Sequence, residues 1–278
     1  MEARVQSNSQ NRPDGAESDI GTAIDNRRAR WRIASLHFNG AAGARQRPFE
    51  EARSMRIEPV FLFDLDGTLV DSVYQHVLAW KEALDSEGVD LSVWRIHRKI
   101  GMSGGLFTNQ LKRETGVDLS EDRLERLRRL HAEAYRRMSA SIRPLPGARE
   151  LLAFLTDTGL QWAIATSGRM ETASVNLAAL GVDPDQTPVV TRDQVKYAKP
   201  DPDLFLAAAA RLDAPIETAI VVGDSIWDML AAARCRALGV GLLCGGYGET
   251  ELQEATAFRV YEDPADLLVH IDEVGARR

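Results

Sequence analysis

Four apolar residues in a row, Val60-Phe61-Leu62-Phe63, interrupt an otherwise polar N-terminal quarter and predict a strand buried on both faces. From 73 to about 141 the spacing changes to three and four. Val77, Leu78, Ala79, Trp80 and Leu84 suit one amphipathic helix, and Leu124, Leu127, Leu130, Ala134 and Met138 suit another. Gly101-Met102-Ser103-Gly104-Gly105 reads as a break between them, and Pro144-Leu145-Pro146-Gly147 ends the helical block. After it, short apolar runs alternate with helical ones. Strands are expected at Trp162 to Thr166, Thr187 to Val190, Ala219 to Val222, Val240 to Leu243 and Phe258 to Val260. Helices are expected at Thr172 to Leu180, Leu204 to Leu212, Met229 to Ala237 and Ala265 to Val274. Alternation of this kind predicts an α/β fold, a Rossmann-like doubly wound parallel sheet, with a helical block inserted after its first strand. The expected division is an α/β core at 55–72 and 143–278 with a helical cap at 73–142.

Residues 1 to about 54 are polar, lack sustained periodicity and predict a weakly structured extension. Met55, just ahead of the first strand, reads as a natural start, and the acidic residues scattered through the extension argue against a transit peptide. Composition otherwise narrows the partners. With 44% apolar and 27% charged residues, the 278-residue chain is that of an ordinary globular protein. No apolar run reaches the ~20 residues of a membrane-spanning helix. A net charge of −7 argues against a general nucleic-acid binder. Cys235 and Cys244 form neither a metal-ligand pattern nor a disulfide framework, so a cytoplasmic setting is expected. Only five of the 34 cations are lysines, which draws attention to Lys199 beside Pro200.

The chemistry gathers at the expected strand ends, where open α/β sheets bind their ligands. The first strand runs into Asp64-Leu65-Asp66-Gly67-Thr68, two carboxylates one residue apart, an arrangement that is costly unless a cation shares it. The second delivers Thr166-Ser167-Gly168, a hydroxyl and backbone N–H groups suited to phosphate oxygens. Lys199-Pro200 follows in a loop, and Gly223-Asp224 through Asp228 closes the set at another strand-to-helix turn. Each alone has a plain structural reading: Thr166, Asp224 and Asp228 as helix-capping or first-turn residues, Lys199 as a surface cation. Four in this order at successive strand ends point to one site.

In these motifs the chain resembles the haloacid dehalogenase superfamily, in its phosphatase branch. The likeness spans residues 60 to 228, with the α/β frame continuing to about 274, and the helical insert looks like that family's C1 cap. Asp71-Ser72-Val73-Tyr74-Gln75-His76, with Trp80 four residues on, is similar to the cap entry of the β-phosphoglucomutase and phosphoglycolate phosphatase group. In mutases of that group, a histidine at the position of His76 helps orient the acid/base aspartate. Where those mutases carry a phosphate-gripping arginine in the cap loop, Ile100 to Leu106 holds none.

The resemblance implies a Mg²⁺-dependent phosphatase acting on a small phosphate ester, with Asp64 as nucleophile, Asp66 as acid and base, and Thr166, Ser167, Gly168 and Lys199 on the phosphoryl oxygens. It implies Mg²⁺ on Asp64, the Asp66 carbonyl and Asp224, with Asp228 in the same metal site, supporting Lys199 or a metal-bound water. His76 is a further candidate on the substrate side. Substrate choice is expected around His97 to Phe107, where Arg98 or Lys99 would meet a second anionic group. A phosphomutase with the same covalent intermediate, or an idle binding protein on the same fold, remain the alternatives. Substrate identity and oligomeric state are not legible at this level.

Overall fold

The computed structural model describes residues 58–276, all within a compact unit running from Arg53 to Arg278. The extension expected at 1–54, and Met55, lie outside the described residues. Strand β1 (Val60–Phe63) and the two-residue β2 (Val70–Asp71) lead into four helices: α1 (Val73–Ser86), α2 (Val93–His97), α3 (Gly104–Thr115) and α4 (Glu121–Arg137). The chain returns through β3 (Arg143–Pro144), which pairs antiparallel with β2, so entry to and exit from the helical insert are tied together.

Beyond it come α5 (Ala148–Asp157), β4 (Trp162–Ala165), α6 (Met170–Leu180), β5 (Val189–Val190), α7 (Asp203–Arg211) and β6 (Ala219–Gly223). Then follow α8 (Ile226–Cys235), β7 (Leu238–Leu242), α9 (Glu249–Glu254), β8 (Arg259–Tyr261) and α10 (Pro264–Val269). Six strands form one parallel sheet in the order β5-β4-β1-β6-β7-β8. Counting only these six in chain order, that is 3-2-1-4-5-6, the doubly wound arrangement. Chain order reverses between β1 and β6, which places the crevice for a ligand just beyond Phe63 and Gly223.

The pleat of β1 sorts its side chains into two cores. Phe61 and Phe63 pack with Leu151, Leu155, Leu177 and Leu267 on one face. Val60 and Leu62 pack with Leu204, Phe205 and Ala208 on the other. The insert has its own core of Val77, Leu84, Ile96, Phe107, Leu111, Leu124 and Leu127.

The sequence-based elements hold in type and shift at their ends. Gly104 and Gly105, expected to break the insert, instead open α3, because the Ser103 hydroxyl caps it by accepting from the Leu106 N–H. The last helix stops at Val269 and a separate 3₁₀ turn covers Ile271–Val274. The strand expected from Thr187 forms only at Val189–Val190. Among the described residues, no helix is long and apolar enough to cross a membrane.

Candidate active site

At the carboxyl end of β1 the backbone turns sharply through Gly67, at φ +84°, where a Cβ would collide with Asp224 and Val73. This turn brings Asp64 and the carboxylates after β6 together. Asp64, Asp224 and Asp228 are buried, and one oxygen from each lies within 4.8 Å of the others. A single cation sits among them. Lys199, fully buried, has its ammonium against Asp64 Oδ1 and 2.8 Å from Asp228 Oδ1. Asp228 is spent on both oxygens, since Oδ2 accepts from the Ser225 hydroxyl and, at 3.1 Å, from the Ser225 N–H. Asp224 accepts from the Thr68 hydroxyl at 2.8 Å.

Three carboxylates and one ammonium leave this buried cluster about two charges negative, and the titration behaviour follows. Burial raises the Asp64 carboxyl to about 7; Lys199 opposes the rise, while Asp228 and Asp66 add to it. Burial likewise pushes Asp224 well up, with Asp228 and Asp64 adding repulsion. Lys199 moves up: burial disfavours its charge, but Asp228 and Asp64 outweigh that. The donor set therefore suits a hard divalent cation such as Mg²⁺, which would be held by Asp64 and Asp224, the two carboxylates with oxygen to spare. Backbone space is matched to the same group. At Gly245, in the loop after β7, a Cβ would overlap the Asp224 carboxylate. We expect Gly245→Ala to lower divalent-cation affinity at least 10-fold and stability by about 1–3 kcal/mol, read by calorimetric Mg²⁺ titration and thermal unfolding.

Asp66 faces a different environment. Its Oδ1 accepts from the Ser72 hydroxyl at 2.7 Å, from the Asn176 amide, and from His76 Nε2 at 3.1 Å. Oδ2 has only a long contact to the Thr166 hydroxyl, 3.4 Å. One oxygen is thus anchored by three donors while the other is left for chemistry. Burial would raise this carboxyl, yet its ion-pair geometry with His76 and the hydrogen bonds from His76 and Ser72 hold it below its ordinary value. Asp64 and Asp66, one residue apart, are in this way driven in opposite directions.

Above the carboxylates opens a cleft of about 1060 Å³ lined by Asp64, Asp66, Thr166, Ser167, Gly168 and the insert. The Ser167 hydroxyl is buried without a partner among the described residues. The Gly168 N–H donates to the Thr166 hydroxyl at 2.9 Å and so buttresses Thr166 at the rim of the cleft.

Two candidates from the insert are engaged by protein groups. Arg98 does not line the cleft. Its guanidinium pairs with Glu251 and stacks over Tyr247, 4.1 Å from the ring centroid, fastening the loop after α2 to the α/β core. Lys99 does line it, but its ammonium is held by Glu114 at 2.7 Å and by the Arg95 carbonyl. His76 spends both ring nitrogens on protein groups, Asp66 and His131. Asn176, Ser72 and His131 were missed. Asn176 carried a signal: it is a polar residue on the apolar face of α6, flanked by Ala173, Leu177 and Leu180.

The haloacid dehalogenase-like hydrolase family matches residues 59–236. Hexitol phosphatase A of Escherichia coli K12 is 34% identical over 65% of this chain and 82% of its own. A phosphoglycolate phosphatase of Agrobacterium fabrum is 26% identical over 77% and 92%. A crystal structure of a hydrolase from Pseudomonas syringae is 59% identical and superposes with a TM-score of 0.78, covering 79% of this chain and all of that one. The chain belongs to the haloacid dehalogenase-like hydrolase family. Its enzyme class is that of the phosphoric monoester hydrolases.

Proposed function

We propose that the protein is a Mg²⁺-dependent phosphatase that hydrolyses a small phosphorylated metabolite, phosphoglycolate-like or sugar-phosphate-like, through an aspartyl-phosphate on Asp64. The observation that carries this reading is the division of labour between the two aspartates. Asp64 lies against Lys199 in a cluster short of positive charge, while Asp66 is anchored by one oxygen and open at the other.

In the first step an Asp64 oxygen attacks phosphorus and the P–O bond to the leaving group breaks. Asp66 Oδ2 donates the proton that the departing alkoxide takes up. In the second step Asp66 removes a proton from water, whose oxygen attacks the same phosphorus and releases inorganic phosphate and free Asp64. Such acid/base assistance is worth about 10²–10⁴-fold. Lys199, Thr166 and the Ser167 hydroxyl and N–H would hold phosphoryl oxygens as charge develops. Mg²⁺, when bound by Asp64, Asp224 and the Asp66 carbonyl, would shield Asp64 from the phosphoryl charge. Asp228 acts at one remove by orienting Lys199.

Hydrolysis is preferred to phosphate migration because the two cations expected in the cap loop, Arg98 and Lys99, are both paired with carboxylates. The core at 55–72 and 143–278 would supply the chemistry and the cap at 73–142 the substrate walls. A panel of phosphoglycolate, hexitol and hexose phosphates and nucleotides, assayed for phosphate release with Mg²⁺ or EDTA, tests the reading. We expect Mg²⁺-dependent release, strongest on a small monoester. Absence of release from every compound by folded, Mg²⁺-loaded protein would overturn it.

A further inference from the structure

Two buried histidines meet behind the anchored oxygen of Asp66. His76 Nδ1 lies 3.0 Å from His131 Nε2, and His76 Nε2 lies 3.1 Å from Asp66 Oδ1. They come from α1 and α4, the two helices that pack along each other in the insert, and α4 also walls the cleft through Leu124, Leu127 and His131. The rings are held in place by a stack. His76 lies face to face with Tyr135 at 3.9 Å and 8°, and His131 with Trp80 at 4.3 Å and 17°. Tyr135 in turn donates at 2.6 Å to Asn176, whose amide donates to the same Asp66 oxygen.

Hydrogen-bond logic fixes much of the proton arrangement. A carboxylate only accepts, so His76 Nε2 must carry a hydrogen toward Asp66. His76 Nδ1 and His131 Nε2 then share one hydrogen between them: if His76 donates, His131 must be neutral, and if His131 donates, His76 must be. Burial favours the neutral form of His131, pushing it well below the usual imidazole range. A carbonyl or carboxylate in place of His131 could only accept. An imidazole serves either way, which keeps the His76 ring in one orientation.

We propose that His131 is a positioning residue for the phosphoryl-transfer reaction: through His76 it fixes the rotation of the Asp66 carboxylate, so that Oδ2 faces the leaving group, and it ties that rotation to the seating of α4 over the substrate. This rests on the phosphatase reading given above. The Ser72 hydroxyl, the Asn176 amide and the His76 ring converge on Oδ1; removing the support behind His76 loosens one of the three and widens the range of carboxylate rotation.

The test separates positioning from bulk structure by the leaving group. A poor leaving group, an alkyl phosphate such as glycerol phosphate, needs its proton from Asp66, whereas p-nitrophenolate leaves unaided. His131→Phe keeps the stack on Trp80 without a ring nitrogen. His131→Gln can return an amide near the Nε2 position, and His131→Asn is too short to reach it.

In the Phe and Asn variants we expect the rapid-quench rate constant for aspartyl-phosphate formation from the alkyl ester, the step that precedes attack by water and differs between the two esters, to fall about 10–100-fold, part of the full acid/base contribution. We expect a change below about 3-fold in that rate constant on p-nitrophenyl phosphate, little change in KM on either, and substantial recovery in the Gln variant. Equal losses on both esters, a loss confined to KM, or Gln no better than Asn would each overturn the proposal. The Gln–Asn comparison decides if the Phe variant fails to fold. Wild-type protein inactive on both esters would instead count against the phosphatase reading.

Discussion

Asp64→Asn is expected to abolish phosphate release, by more than about 10⁴-fold, and at the same time to make the metal-free protein more stable. The first effect follows from the proposed chemistry, since an amide of the same shape has no anionic oxygen to attack phosphorus. The second follows from charge. Asp64, Asp224 and Asp228 share one buried pocket with Lys199 as the cation among them. The substituted amide could still accept from Lys199, which retains Asp228 at 2.8 Å, while the repulsion on Asp224 is reduced. A gain of about 1–2 kcal/mol would raise the melting temperature by about 2–8 °C for a domain of this size. Thermal unfolding in EDTA measures it, beside a phosphate-release assay. The converse control is Lys199→Met, expected to cost about 3–5 kcal/mol because it strips the cation from buried carboxylates. A lower melting temperature for Asp64→Asn would mean that the Asp64–Lys199 pair outweighs the repulsion around it. Activity and stability pulling apart at one position is what a site that holds a cation in use would require.

The parts of this site that are continuous in sequence were legible, and the parts assembled across the fold were not. Val60-Phe61-Leu62-Phe63 running into Asp64 and Asp66 announces a buried strand delivering paired carboxylates, and β1 occupies those residues. Thr166 and Asp224 sit at strand ends for the same reason. Lys199 could be picked out because lysine is rare here, but its burial between Asp64 and Asp228 depends on residues 135 and 29 positions away. Arg98 shows the opposite case. A cation in a glycine-bounded loop looks available until Glu251, 153 residues on, takes it up. His131 is separated from His76 by 55 residues and shares the buried face of α4 with Leu127 and Tyr135. Periodicity reports that such a residue is inside and says nothing of which polar group it meets there. Gly104 and Gly105 show the limit for boundaries: the Ser103 cap overrides the low helix propensity of two glycines.

Magnesium is expected to raise the melting temperature far more at pH 8 than at pH 5.5. In the metal-free fold, burial and neighbouring carboxylates lift Asp64 from 3.8 to about 7 and lift Asp224 as well. An unfolded chain releases these protons near its ordinary carboxylate pKa. Between about pH 4 and pH 7 the folded site therefore binds more protons than the unfolded one, and its contribution to stability falls as pH rises through that window. Protons and the cation compete for the same oxygens, so Mg²⁺ must displace protons at pH 5.5 and finds ionised carboxylates at pH 8. A cation at 100 times its Kd adds about 2.7 kcal/mol, and that addition should shrink toward low pH. Unfolding scans across pH, in EDTA and in Mg²⁺, with Asp224→Asn as the control that loses the shift, measure it directly. Phosphate release should vanish in EDTA at every pH and return with Mg²⁺. A Mg²⁺ shift equal at both pH values, or retained by Asp224→Asn, would place the cation away from these carboxylates and remove the charge argument on which the nucleophile's assignment leans.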